Sequence, residues 1–80
     1  KKEAYPSEFD AMGKPVPTHR RANAYEWLKS IGVKSDDAWA CVGGMAEQLE
    51  RDKPHEAMER GRQHVDLTGA YRLMAYLLTG

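Results

Sequence analysis

The stretch Trp39–Gln48, WACVGGMAEQ, decides the fold. Two adjacent glycines beside the chain's single cysteine allow two readings. One is a loop whose backbone approaches a ligand. The other is a helix that carries two glycines. Apolar residues separate the two readings. Ala38, Trp39, Val42, Met45, Ala46 and Leu49 recur three and four apart, straight across the glycines. That is the period of one helix face. A phosphate-cradling loop would break the period and be followed by a lysine and a hydroxyl residue. Met45, Ala46 and Glu47 follow instead. The spacing therefore predicts a helix over Asp36–Asp52, with Ser35 as its cap and Asp36 and Asp37 against the positive end of the dipole. The interior pair costs roughly 1–2 kcal/mol relative to alanine. Close approach of another helix at Gly43 and Gly44 is the expected compensation, and a local kink the alternative.

Upstream, Ala24, Tyr25, Leu28 and Ile31 mark a first helix near Arg20–Ile31. Asn23 with Glu26 resembles a capping box, and Thr18 is the other candidate cap. Gly32 fits the left-handed position past the helix end, with Val33 folding back on Leu28. Residues 1–18 hold three of the four prolines and no regular period. They read as an extended N-terminal arm ahead of a helical domain over 19–80. Tyr5, Phe9 and Met12 are able to pin the arm to the body, and a disordered leader is the alternative.

Downstream, Pro54 suits the first turn of a helix, capped by Asp52 or Lys53. Glu47 with Arg51, and Glu56 with Arg60, stand at pairing distance on their helices. Ala57, Met58, Gly61 and Val65 form one stripe, and the phase then changes. A break near Asp66 is expected, with Asp66 or Thr68 as the new cap; one long helix with two buried faces is the alternative. The predicted fold is all-α, a small bundle of three or four helices. Its expected core includes Leu28, Trp39, Val42, Leu49 and Met58.

The C-terminal segment carries the largest apolar surplus. Nine of the twelve residues from Leu67 to Leu78 are hydrophobic, more than one helix face needs. Leu67, Ala70, Tyr71, Met74 and Leu78 are assigned to the core. Leu73, Tyr76 and Leu77 are then left for a partner or for a second copy of the chain.

Composition narrows the function. Lysine plus arginine equals aspartate plus glutamate at 12 each, so the chain has neither the basic excess of a nucleic-acid binder nor an acidic one. Charge is segregated: residues 19–34 carry four basic and one acidic side chain, and residues 35–52 one basic and five acidic. Packing of two complementary helices accounts for this, and steering of a charged partner is the alternative. The sequence has no signal-peptide pattern and no apolar run near the roughly 20 residues that cross a bilayer, and a cytoplasmic setting is expected. Cys41, His19, His55 and His64 match no compact zinc spacing, and Cys41 has no recognisable base beside it in sequence. Cys41 reads as a small half-buried residue, His55 and His64 as solvent-facing positions. No cofactor, metal or catalytic role is assigned. The expected function is a non-enzymatic protein-interaction or regulatory module acting through an apolar helical surface. The alternative is a small helical DNA-binding regulator in which Arg20 and Arg21 contact nucleic acid from the arm.

Overall fold

Four helices follow one another in the computed structural model, which describes residues 14–80. They are α1 (Thr18–Ser30), α2 (Ser35–Glu50), α3 (Pro54–Arg62) and α4 (Leu67–Thr79). Each packs on its sequence neighbours, and α1 also packs on α4, so the helices close a ring around one core. The expected all-α bundle is the observed fold, and no strand occurs among the described residues. Tyr5, Phe9 and Met12 lie outside the described residues.

WACVGGMAEQ is helical throughout. α2 is the central element, burying Ala38, Cys41, Val42, Met45, Ala46, Gln48 and Leu49. Leu28, Val42 and Leu49 are in the core as expected, joined by Val16, Leu73 and Leu77. Trp39 is not: half its surface is exposed, and its ring stacks on Tyr25 with centroids 4.1 Å apart. It lies at the margin of the α2 stripe, against Tyr25 of α1. Met58 is half-buried, and Ile31 half-exposed, at the end of α1.

The caps differ in part from expectation. α1 begins behind Pro17, whose carbonyl accepts from the Arg20 and Arg21 amides at 3.1 and 3.2 Å. Proline's fixed φ already suits this position. Asn23 is therefore inside α1, and its Nδ2 donates to the Gly80 carbonyl at 3.1 Å. Ser35 is the first residue of α2, with Lys34 as the cap residue, and the Ser35 hydroxyl pairs with Tyr25 Oη at 2.9 Å. Turn 31–34 closes as expected: Gly32 has φ 99°, the Val33 amide donates to Leu28 O, and the Gly32 amide to Lys29 O, both at 3.0 Å. The end of α2 repeats this six-to-one arrangement on Asp52, with φ 59°. The Lys53 amide donates to Gln48 O at 2.8 Å, and the Asp52 amide to Leu49 O at 2.9 Å. Asp66 breaks the chain between α3 and α4, its Oδ1 accepting from the Gly69 amide at 2.8 Å.

Tight glycine packing follows the expectation at Gly44 and fails it at Gly43. A Cβ built on Gly43 meets nothing within 4 Å, and one on Gly44 meets Arg60 of α3, at 3.0 Å from Nη1 and 3.9 Å from Cβ. Closer approaches are at Gly61 and Gly69. A Cβ on Gly61 would lie 2.8 Å from Met45 Cε, and one on Gly69 2.9 Å from Val65 Cβ. Glu47 and Arg51 pair at 3.1 Å as predicted. Arg60 lies over Gly44, and among the described residues no ion pair joins it to Glu56.

Candidate interaction surface

α4 decides which apolar side chains remain outside. Gly69, Ala70, Leu73 and Leu77 face the core, Leu73 and Leu77 with no exposed surface. Tyr76 is half-buried, and its ring leans on Trp27 with centroids 6.4 Å apart. The set expected to meet a partner, Leu73, Tyr76 and Leu77, is thus packed on this chain's own helices. Of the set assigned to the core, Ala70 is buried and Met74 and Leu78 pack against the core, which leaves Leu67 and Tyr71 outside. Leu67 is 45% exposed and Tyr71 62%, with Met74 and Leu78 half-buried below them. The two stripes are of similar hydrophobicity, and small residues choose between them. Gly69 and Ala70 lie on the inner side, and Ala70 Cβ approaches Gly61 of α3. Only that side lets α4 come close to its neighbours.

Two hollows flank α4. One, of about 390 Å³, is lined by Trp27 and Ile31 of α1 and by Val65, Asp66, Thr68, Gly69 and Arg72. Arg72 lies over the Trp27 ring, 5.7 Å from its centroid. The other, of about 190 Å³, lies between His55, Met58, Glu59 and Arg62 of α3 and Leu67 and Tyr71 of α4. Trp27 stands off the apolar stripe of α1 and carried no sequence signal beyond its size.

Arg20 and Arg21, the residues nominated for nucleic acid, make contacts inside the fold. Arg20 Nη1 donates to Leu78 O at 2.9 Å, at the negative end of the α4 dipole. Arg21 Nε donates to Val16 O at 3.0 Å, and its Nη2 pairs with Glu50. The same Glu50 oxygen accepts from the Val16 amide at 2.7 Å. This clamp fixes the entry of the chain into α1 against the end of α2.

Cys41 is a free thiol, fully buried, with Sγ 3.9 Å from Met45 Sδ. Burial raises its pKa from 9.0 to about 11, so it is protonated at neutral pH. Thiolate, the nucleophilic form, is correspondingly scarce. His19 and His55 are exposed and His64 half-buried. Among the described residues no cluster of three His, Cys, Asp or Glu side chains is placed to hold a metal ion. No helix among them is long and apolar enough to cross a membrane. Comparison of the chain with protein-family models, with curated proteins and with solved structures gives no match in any of the three.

Proposed function

We propose that this domain is a non-enzymatic protein-interaction or regulatory module of the cytoplasm, and that it docks a protein partner on the outer face of α4. One observation carries the reading: Leu67 and Tyr71 stand side by side on one helix stripe, 45% and 62% exposed. Both are large and apolar, and Met58 adjoins them. Leaving such surface in water forgoes about 25 cal/mol per Å² of burial. Contiguous apolar surface of this kind marks interaction sites, and tyrosine and methionine are enriched at them. The buried free thiol fits a reducing compartment.

The test is recovery of partners from native lysate with the wild type and with Leu67→Glu combined with Tyr71→Glu. The charged pair is expected to lose the partner and keep its melting temperature. Recovery is expected to survive nuclease and moderate salt. A partner held equally well by both proteins overturns the reading. Binding that nuclease abolishes and that falls steeply with salt favours the DNA-binding alternative. Salt dependence is the cleaner discriminator, since replacing Arg20 and Arg21 also removes their contacts to Leu78, Val16 and Glu50.

A further inference from the structure

The larger hollow beside α4 is a separate feature from the Leu67–Tyr71 face. Trp27 and Ile31 line it from the end of α1, Val65 from the link before α4, and Thr68, Gly69 and Arg72 from α4 itself. Trp27 and Val65 rest on the core with one side and line the hollow with the other. Ile31 is half-exposed there. At about 390 Å³ the hollow has the size of a small-ligand site, roughly 300–1,000 Å³, and such sites are mostly apolar with a few polar groups. Two charged side chains line this one. Asp66 is already engaged, its Oδ1 accepting from the Gly69 amide. Arg72 lies with its guanidinium over the Trp27 ring, 5.7 Å from the centroid, and among the described residues no hydrogen bond or ion pair engages its N–H groups. Stacking holds the planar fork beside the apolar wall, and its in-plane donors match a carboxylate.

We propose that this hollow binds a small apolar carboxylate, with the hydrocarbon body against Trp27, Ile31 and Val65 and the carboxylate paired with Arg72. The site is independent of the docking reading above, since neither Leu67 nor Tyr71 lines it. Ile31 is the chain's one isoleucine, so its δ1 methyl gives a single NMR resonance inside the hollow. Phenylacetate is the probe and phenylacetamide its uncharged counterpart. Phenylacetate is expected to shift the Ile31 methyl and the Trp27 indole along one saturable curve and to leave the Trp39 indole unmoved. Phenylacetamide is expected to bind about tenfold more weakly, because it lacks the charge-assisted pair. Arg72→Gln, at an exposed position, is expected to keep the wild-type urea midpoint and to bind the acid no better than the amide. Equal binding of acid and amide by the wild type overturns the proposal. So does a shift that never saturates or that Trp39 shares, and so does an Arg72→Gln protein that keeps the wild-type preference for the acid.

Discussion

α2 and α4 are both apolar helices, yet their sequences specify burial with different certainty. In α2 the apolar positions form one stripe, and the core receives all of it but Trp39. In α4 two sets compete, Leu67–Ala70–Tyr71–Met74–Leu78 and Leu73–Tyr76–Leu77, and hydrophobicity favours neither. Shape decides. Helices approach where side chains are small, so Gly61 and Ala70 draw α4 in on one side and leave Tyr71 out. Of the adjacent glycines in α2, Gly43 faces open space and Gly44 only the Arg60 side chain of α3. A glycine reports close packing only where its missing side chain points at another element.

The largest expected effect sets one α4 stripe against the other. Leu73→Ala empties a fully buried site and should cost about 2–5 kcal/mol, a large share of what so small a domain has. Tyr71→Ala should cost under about 0.5 kcal/mol at its exposed position. Urea unfolding of both reads the ratio, and equal costs would break the assignment of the inner face. Next, Gly69→Ala drives a methyl to within 2.9 Å of Val65 Cβ, which is too near its own backbone to swing aside. Overpacking should cost about 1–3 kcal/mol. Its counterpart is Gly43→Ala, expected to add up to about 1 kcal/mol of stability because nothing stands in the way. Opposite signs at the two glycines are the sharpest form of the comparison, and thermal melts decide it.

Two smaller effects refine the picture of α2. The folded protein holds the Cys41 proton up to about pH 11, the unfolded chain only to 9.0. The folded state therefore binds more protons between these values, so this group's contribution is complete below pH 9 and is lost as pH rises toward 11. The loss should reach about 3 kcal/mol at most. Subtracting the pH profile of Cys41→Ala from that of the wild type isolates it. Asp52→Gly should add up to about 1 kcal/mol, since Asp52 holds a left-handed conformation that glycine adopts freely. A loss of stability there would show that the aspartate side chain supports the turn.

The sequence carries the helices better than the faces. Periodicity located α2, and Gly32 and Pro54 punctuated the chain as their backbone chemistry requires. Asp66 starts the fourth helix, because its carboxylate satisfies an amide that would otherwise be orphaned. Periodicity is silent on size at a stripe's margin, which is why Trp39 was placed inside and stays half outside. It is also silent when a helix is apolar nearly all round, and Leu73 and Leu77, expected outside, are buried. Ser35 and Asn23 have the chemistry of caps, but each is used in a contact that only the folded chain brings near, with Tyr25 and with Gly80. The candidate surface was legible as an element and not as a set of side chains. The small residues Gly69 and Ala70 were the signal that would have set its orientation.

The sealed position of Cys41 makes the protein its own stopwatch. With the thiol fully buried in the middle of α2, no alkylating reagent reaches it until the bundle opens. Labelling at high reagent concentration then counts opening events, and at low concentration it measures the fraction of time spent open. A single native atom gives both the lifetime and the equilibrium of the closed state, with no probe added to the chain.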